Sequence, residues 1–436
     1  MISYVALLLG VSIYFNRSQS SDETAYAMAG RKVPWYGVFA SVFTLIGAGE
    51  FLTVASLAFV NDGAAISLLA GYGVGMVILG IIAKRGRQGD DRYYLSIPDM
   101  VYDRFGSLAG LLANGLTILA FFALLVLQVF AGALVISEIT PIPVWGAAVA
   151  TMVIVTLYLY FSGFGGVIAT DIFQCILMVI GLPALALIAL PHTSDIAKVL
   201  ELEFGWLATI SVLLTGIFVV VGSGDIWQRV YAAKSSSSAK LGLVTAGLGF
   251  AAYSVILALV GIAARESGLA TDGDSAFLSV VLAQGGSWLA YLVILAVFSA
   301  ILSTADTEAY LISSLVANEQ RRWSSGVQSC VSSEVGRRSI RVVLPIVAVL
   351  ATGAALMADS LVAIYELLLL LLLALSPLVI LSVFRNLNPK SGALILIVGI
   401  VSLVFVHYAP FVTLDWVSLV IIPGLIVGYF MSEPKS

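Results

Sequence analysis

The feature that most constrains this chain is a series of long apolar segments that contain no Lys or Arg. A helix that crosses a bilayer needs roughly 20 mostly apolar residues, and such segments follow one another along almost the whole sequence. Apolar residues make up 60% of the chain and charged residues 11%, whereas ordinary soluble domains hold about 45–50% and about 25%. The composition excludes a soluble enzyme, a nucleic-acid-binding protein and a disordered scaffold, and predicts an all-α integral membrane protein.

Thirteen of these segments are predicted to be transmembrane helices. The leading segment, Ile2 to Phe15, is expected to be a retained helix, because no positive residue precedes it and no small-residue cleavage site follows it closely. The other twelve, called spans 1 to 12, are Pro34–Val60, Ala64–Ala83, Leu108–Ser137, Val144–Phe161, Val167–Leu190, Trp206–Val221, Leu241–Ala264, Trp288–Ala317, Val342–Met357, Leu361–Phe384, Gly392–Val406 and Val417–Met431.

The positions of the basic residues agree with this count. All of the 21 Lys and Arg residues except Lys198 and Arg265 lie in alternate loops, at 16–33, 84–107, 222–240, 318–341, 385–391 and 432–436. Because basic loops stay on the cytoplasmic side, we expect the N-terminus outside and the C-terminus inside the cell membrane. On this interpretation no span contains a Lys or Arg.

Several acidic residues, in contrast, fall within spans: Glu50, Asp171, Asp306, Glu308 and Glu366. A charge inside a bilayer is expensive unless it faces a partner or a wet cavity. These carboxyl groups must therefore be protonated, hydrated or matched by a cation from outside the chain, which favours a cation-coupled pathway. Simple hydration near an interface is the alternative for Asp171, Glu308 and Glu366.

Span 1 contains the segment TLIGAGEF, from Thr44 to Phe51. Gly47 and Gly49 flank Ala48 directly before Glu50, and small residues at mid-depth permit local unwinding that exposes carbonyl and amide groups. A close helix-packing face is the alternative use of such glycines. The acid at the same depth favours a broken helix.

Span 8 contains FSAILSTADTEAY, in which Ala300, Ser303, Thr304 and Thr307 share one helix face. Adjacent hydroxyl groups offer hard oxygen ligands, which alkali and alkaline-earth cations prefer. Hydroxyl groups that bond back to their own helix are the alternative. Beside Asp306 and a broken span 1, the face predicts a cation site.

Five further segments, together with these two spans, resemble the sodium:solute symporter family, whose members carry sugars, proline, pantothenate and sialic acid. The segments are DETAYAMAGRKVPW (22–35), YLSIPDMVYDRFG (94–106), GFGGVIATDIFQ (163–174), DIWQRVYAAKSSSSAKLG (225–242) and FRNLNPKSGALI (384–395). The resemblance covers nearly the whole chain.

The resemblance implies the leucine-transporter fold, in which two five-helix repeats of opposite orientation follow a leading helix and precede two C-terminal helices. The corresponding regions are 1–33 for the leading helix and loop, 34–190 and 191–391 for the repeats, and 392–436 for the last two spans. Five crossings per repeat is an odd number, so the repeats necessarily enter from opposite sides.

The resemblance also implies the site residues. The principal sodium site corresponds to the carbonyl groups of Thr44, Gly47 and Ala300 and the hydroxyl groups of Ser303 and Thr304. Some family members have a second sodium site, whose positions here hold Asp171, Asp306 and Thr307. Since Asp306 replaces a hydroxyl group, that site is expected to bind either sodium or a proton.

The solute is expected between spans 1 and 6. Glu50 aligns with an acid that contacts the solute in sugar carriers, Ala48 and Gly49 lie at the expected break, and Gln128 is chosen for its polarity and depth. The expected solute is a small neutral, zwitterionic or cationic organic molecule, because the spans offer no basic residue to an anion. Sodium is the expected coupling ion, and the lipid bilayer is the expected surrounding. No organic cofactor, nucleic acid or obligate protein partner is expected.

Three alternatives remain at this stage. Protons could replace sodium through Glu50, Asp171 or Asp306. The pattern Gly222-Ser223-Gly224-Asp225 matches the GxGD motif of intramembrane aspartyl proteases, with Asp171 as partner. A passive channel is the third, but a helix break beside a hydroxyl face indicates an occluding site.

Overall fold

The computed structural model describes residues 2–18, 28–87, 94–201, 205–325, 337–408 and 414–434. Helices dominate these ranges, as the apolar segments predict. The α-helices in chain order are α1 (Ile2–Ser18), α2 (Trp35–Phe43), α3 (Ala48–Asn61), α4 (Ile66–Arg87), α5 (Ile97–Ile139), α6 (Val144–Ala189), α7 (Gly205–Gly222), α8 (Gly224–Ala232), α9 (Ser236–Glu266), α10 (Gly273–Leu282), α11 (Trp288–Ser325), α12 (Arg337–Ala355), α13 (Leu361–Phe384), α14 (Pro389–Tyr408) and α15 (Ile421–Phe430).

Short elements complete the fold. Two three-residue strands, β1 (Arg385–Leu387) and β2 (Ser432–Pro434), pair antiparallel. The 3-10 helices are Ala29–Arg31, Asp62–Ala65, Leu190–His192, Ile196–Leu200 and Leu414–Val420. Within the described ranges, ten helical segments are long and apolar enough to cross a membrane, which agrees with a multi-pass membrane protein.

Several predicted spans are longer or differently divided in the structure. Spans 4 and 5 correspond to the two parts of α6, which is interrupted at Gly163, where φ is 61°. Span 3 is the C-terminal part of α5, which kinks at Gly106 with φ at 80°. Both glycines adopt the left-handed region that a side chain would disfavour, so these kinks depend on glycine.

The helices pack into one bundle around the broken first span. Helix α4 packs against α7 and α9, α6 against α11 and α1, and α5 against α13 and α11. Gly75 of α4 lies close to α7: an added Cβ would be 2.9 Å from the Ile217 carbonyl oxygen. The GxxxG pair at Gly71 and Gly75 therefore serves helix packing, since only small residues permit so close an approach.

A backbone bridge joins the start of α2 to the end of α8. The Val33 N–H donates to the Ala232 carbonyl at 3.2 Å, and the Lys234 N–H donates to the Val33 carbonyl at 2.8 Å. Arg87 of α4 reinforces this junction, because its Nη1 donates to the Ala233 carbonyl at 2.8 Å. The two helices are therefore connected through their main chains as well as their side chains.

Candidate functional site

The first core span is broken where the sequence predicts a break. Helix α2 ends at Phe43 and α3 begins at Ala48, so the segment 44–47 separates two helices. The buried Glu50 accepts the Gly47 N–H at 2.8 Å through its Oε2 atom. An acid in the first turn complements the positive end of a helix, and Glu50 therefore stabilises the start of α3.

The hydroxyl face of α11 lies against this break. Thr304 Oγ1 donates to the Thr44 carbonyl oxygen at 3.2 Å, across 260 positions of sequence. Ser303 and Ala300 are fully buried on the same helix. The structure therefore brings Thr44, Ser303 and Thr304 of the predicted sodium site together, with Gly47 in the same break and Ala300 one turn away.

These groups fit a singly charged cation. Main-chain carbonyl and hydroxyl oxygens are hard ligands, and a site of neutral oxygens suits an ion of low charge. The Thr304 hydroxyl donates directly to the Thr44 carbonyl, so two oxygens of the predicted sodium site lie 3.2 Å apart. Ser303 Oγ donates to Asp171 Oδ1 at 2.6 Å, which connects the hydroxyl face to a buried carboxylate.

Asp171 has a basic partner that sequence analysis missed. Arg229 is fully buried in α8, and its Nη2 lies 3.7 Å from Asp171 Oδ2. Its Nε donates to Ser41 Oγ at 2.9 Å, and Ser41 in turn donates to Asp171 Oδ2. The prediction that 222–240 is a loop and that no basic residue is available to the span acids is therefore wrong, because Arg229 lies on a buried helix and pairs with Asp171.

Arg229 also reaches the second candidate sodium site. Its Nη2 donates to Thr307 Oγ1 at 2.6 Å. Asp306, the third member of that site, instead accepts the Tyr158 hydroxyl at 2.7 Å through Oδ2, and no hydrogen bond to its Oδ1 occurs within the described ranges. The structure thus divides the three predicted residues: Asp171 and Thr307 share Arg229, and Asp306 faces Tyr158.

A second span is also broken, just before the helix that carries Arg229. Helix α7 ends at Gly222 and α8 begins at Gly224, so only Ser223 separates them. Asp225 accepts the Ser223 hydroxyl and, at 2.7 Å, the Ile226 N–H. The GxGD pattern is therefore a helix break stabilised by its own acid. Each aspartate of the proposed protease pair is bonded to other groups, which disfavours that alternative.

The predicted solute residues lie at the first break. Gln128 of α5 is fully buried against Gly47, where an added Cβ would be 2.5 Å from Gln128 Nε2. Ala48 and Gly49 form the start of α3. Sequence analysis missed Tyr72 and Tyr365, whose hydroxyl oxygens lie 3.1 Å apart between α4 and α13. Their spacing in the sequence carries no signal of this contact.

The remaining span acids differ in their surroundings. Glu308 is fully buried, and neither of its carboxyl oxygens has a hydrogen-bond partner within the described part of the chain. The charged groups that act on it are Asp225, Arg229, Glu50 and Asp306. Glu366, in contrast, is exposed at the bundle surface. Hydration near an interface therefore suits Glu366 and does not suit Glu308 or Asp171.

Ion pairs also join helix ends on both sides of the bundle. Arg322 of α11 pairs with Asp99 near the start of α5, and its guanidinium lies 3.9 Å from the Tyr102 ring centroid. At the opposite ends of the helices, Arg265 of α9 pairs with Asp62 after α3. These contacts join α11 to α5 and α9 to the end of α3.

Comparison with known proteins supports the predicted family. Residues 26–204 match the model of the sodium:solute symporter family. The chain is 25% identical over 309 residues to a sodium/glucose cotransporter of Vibrio parahaemolyticus, which covers 60% of this chain and 53% of that protein. It is 24% identical over 285 residues to a spermidine transporter of Candida albicans, covering 62% and 50%. The chain thus spans about half the length of these curated relatives.

Solved structures share the fold over almost the entire chain. A substrate-bound, outward-open Na+-coupled sialic acid symporter superimposes with a TM-score of 0.81 at 18% identity, covering 100% of this chain and 98% of that one. A nucleobase-cation-symport-1 family transporter gives a TM-score of 0.65 at 16% identity, covering 94% of both chains. The matched proteins are transporters rather than enzymes. The chain is therefore a multi-pass membrane protein with the fold of these transporters, and its resemblance to the sodium:solute symporter family is confirmed.

Proposed function

We propose that the chain is a sodium-coupled symporter that imports a small organic solute across the cell membrane by alternating access. The observation that carries this proposal is the contact between Thr304 Oγ1 and the Thr44 carbonyl at 3.2 Å. It places a buried hydroxyl face against the exposed backbone of a broken helix, which is how membrane carriers of this kind coordinate a coupling ion. The family match and the sodium-coupled structural neighbour support the same function.

The proposed topology has thirteen crossings, with the N-terminus outside and the C-terminus inside. Residues 34–190 and 191–391 form the two inverted repeats, preceded by the region 1–33 and followed by 392–436. The two helix breaks support this division, because α2–α3 opens the first repeat and α7–α8 opens the second. Equivalent interruptions at corresponding positions are typical of inverted-repeat carriers.

In the proposed cycle, sodium enters from outside and binds to Thr44, Gly47, Ala300, Ser303 and Thr304. The ion joins the broken first span to α11 and so stabilises the conformation that binds the solute. The loaded carrier then reorients, and both leave on the cytoplasmic side. A potential of about 100 mV contributes about 2.3 kcal/mol per ion, and a tenfold gradient contributes about 1.4 kcal/mol. One sodium therefore supports an accumulation of several hundredfold.

The proposed stoichiometry is one sodium per cycle. In the second candidate site, Arg229 lies 3.7 Å from Asp171 and donates to Thr307 at 2.6 Å. A guanidinium at this position supplies the positive charge that a second sodium would bring, and two cations so close would repel each other. We therefore infer that Arg229 replaces a second sodium. A sodium titration should then give one bound ion per chain and a Hill coefficient near one.

The solute binds, in this proposal, between the two breaks. Glu50, Ala48 and Gly49 begin α3, and Gln128 covers Gly47. The curated relatives carry names that refer to glucose, spermidine and monocarboxylates, so they do not agree on one solute class. The buried Tyr72–Tyr365 pair adds an aromatic, hydroxyl-bearing side to the region.

Radioactive sodium binding to the purified protein tests the sodium site without knowledge of the solute. Ser303→Ala and Thr304→Ala should each weaken sodium binding by at least about tenfold, because each removes a ligand from a buried site. Ser313→Ala is the matched control: its hydroxyl is buried on the same helix but donates to the Ala309 carbonyl of that helix at 2.6 Å. Sodium binding that is equal in all three variants would contradict the assignment.

Proton coupling is the alternative within the same fold. It is favoured by one observation, the Asp306 Oδ1 atom that lacks a hydrogen bond within the described ranges. Solute uptake into proteoliposomes is measured under an imposed sodium gradient and, separately, under an imposed proton gradient. The comparison distinguishes the two mechanisms. Uptake driven by the proton gradient alone, without sodium, would replace sodium symport by proton symport.

A further inference from the structure

We propose that the solute is an organic cation and that Glu308 binds its ammonium group between the two helix breaks. This inference rests on the proposed symport function and names the class of solute that the same site would take. Three observations carry it: the occupied helix N-termini at both breaks, the buried Glu308 carboxyl without a partner, and the commitment of Arg229 to other groups.

Both helix N-termini at the breaks already carry an acid of the chain itself. Glu50 accepts the Gly47 N–H at the start of α3. Asp225 accepts the Ile226 N–H and the Ser223 hydroxyl at the start of α8. In carriers with broken helices, these positive ends are the places that attract an anionic group of the solute. Here both ends are neutralised from within, so the site offers no positive helix end to a carboxylate or phosphate.

Glu308 lies on the same face of α11 as the sodium site. It follows Thr304 by four residues, and residues four apart are neighbours on a helix surface. Thr304 contacts the Thr44 carbonyl at the first break, while Asp225 at the second break is among the charges that act on Glu308. Glu308 therefore belongs to the region between the two interrupted spans, where the solute is proposed to bind.

The carboxyl group of Glu308 requires a positive partner. It is fully buried, and neither oxygen has a hydrogen bond within the described part of the chain. Three of the four charged groups that act on it, Asp225, Glu50 and Asp306, have the same sign. A desolvated and unpaired carboxylate is strongly unfavourable inside a membrane protein. A cation that arrives with the solute would remove this penalty.

Arg229 does not serve as that partner. Its Nε donates to Ser41, its Nη1 to the Asp225 carbonyl at 3.3 Å, and its Nη2 to Thr307. Its charge is matched by Asp171, which lies 3.7 Å away. The guanidinium and Asp171 thus form a neutral pair, and Arg229 makes no hydrogen bond to the Glu308 carboxyl in the described part of the chain.

The surroundings fit an ammonium group better than a second metal ion. Within the described ranges no group of three or more His, Cys, Asp or Glu side chains is placed to hold a metal ion. An ammonium group needs fewer ligands, since one carboxylate and nearby aromatic faces suffice. Phe121 packs against Gly224 at the second break, and the Tyr72 and Tyr365 hydroxyl oxygens lie 3.1 Å apart between α4 and α13.

The test is a thermal-stability assay of the purified chain in lipid nanodiscs, with sodium or potassium as the only salt cation. The probes are putrescine, spermidine and choline, each beside an uncharged analogue of similar length, and proline and glucose as zwitterionic and neutral compounds. We expect stabilisation by one or more of the amines, in sodium only, and none by their uncharged analogues. Glu308→Gln should weaken the apparent affinity for the amine at least about tenfold, because it removes a charge-assisted contact. Glu366→Gln, at an exposed acid of another span, is the matched control and should leave the affinity unchanged.

Thermal stabilisation by sodium alone distinguishes a failure of the proposed symport function from a failure of the inference about the solute. If sodium stabilises neither the wild type nor the variants, the symport function fails. If sodium stabilises wild type and Glu308→Gln equally, both are folded, and the amine response then decides. Stabilisation by proline or glucose but by no amine overturns the inference of a cationic solute, as does a silent panel of amines. An amine response that Glu308→Gln retains in full overturns the role of Glu308.

Discussion

The buried pair of Arg229 and Asp171 allows a quantitative prediction. At 3.7 Å, two unit charges attract each other with about 4.5 kcal/mol at an effective dielectric constant of about 20. Removal of one partner from a buried ion pair costs about 3–5 kcal/mol, because the other charge remains desolvated. Arg229→Gln and Asp171→Asn should therefore each lower the free energy of unfolding by about 3–5 kcal/mol.

The double variant distinguishes a charge pair from two independent contacts. If the pair interacts as the structure shows, Arg229→Gln with Asp171→Asn should cost about 3 kcal/mol less than the sum of the single variants. The free energy of unfolding is measured by SDS titration in mixed micelles, with tryptophan fluorescence as the signal. A coupling energy below about 1 kcal/mol would refute the reasoning, since it would show that the two groups do not neutralise each other.

A more exposed ion pair provides the comparison. Lys198 Nζ lies 2.6 Å from Glu266 Oε1, closer than the buried pair, with 34% of the Lys198 side chain and 9% of the Glu266 side chain exposed. Water screens the partly exposed ammonium group. The cycle of Lys198→Gln and Glu266→Gln should accordingly give a smaller coupling energy than the buried pair, although its atoms are nearer to each other. A larger coupling energy for the buried pair, whose atoms are farther apart, would show that burial rather than distance dominates the coupling energy.

Two further predictions concern the breaks and the second candidate site. Gly47→Ala should abolish sodium-dependent stabilisation, because its Cβ would lie 2.5 Å from Gln128 Nε2. Adding Gln128→Ala to this variant should partly restore the stabilisation. Gly115→Ala is the control and should behave as wild type in the same assay, because no atom lies within 4 Å of the added Cβ. Tyr158→Phe should lower the free energy of unfolding by about 1–3 kcal/mol, because it removes the hydroxyl that donates to buried Asp306. An unchanged SDS titration would show that Asp306 does not depend on Tyr158.

The first half of the site could be predicted from the sequence because its signals are local. Gly47 and Gly49 before Glu50 predict a helix break, and the spacing of Ser303 and Thr304 predicts a hydroxyl face. Both features follow from residues within a few positions of each other, and helix periodicity fixes their relative placement. The contact between Thr304 and Thr44, in contrast, required a resemblance to other proteins, since 260 positions separate the two residues.

The positions of the basic residues in the sequence do not predict the second break or the buried position of Arg229. Basic residues usually lie in loops of membrane proteins, so Arg229 indicates that the segment 222–240 lies outside the bundle. In the structure its charge is matched by Asp171 and its donors by Ser41 and Thr307. A basic residue becomes tolerable inside a bundle when distant parts of the chain supply such partners, and composition within one window cannot show them.

The local signal for this second break was present but received another interpretation. Gly222, Ser223 and Gly224 before Asp225 repeat the arrangement of small residues before Glu50 in the first span. In both places the structure has an interrupted helix whose second part begins with an acid in its first turn. The shared pattern of small residues followed by an acid therefore predicts both breaks.

The backbone bridge at Val33 has a consequence for motion. In the proposed topology, helices α2 and α8 belong to different repeats, yet Val33, just before α2, shares main-chain hydrogen bonds with Ala232 and Lys234 at the end of α8. Arg229 also attaches α8 to Ser41 near the C-terminal end of α2. Two helices that are bonded to each other at two points along their length cannot move separately. The proposed reorientation would therefore move α2 and α8 together as one rigid pair, hinged at Thr44–Gly47 and at Ser223, with α3 and α7 on the other side of these two hinges.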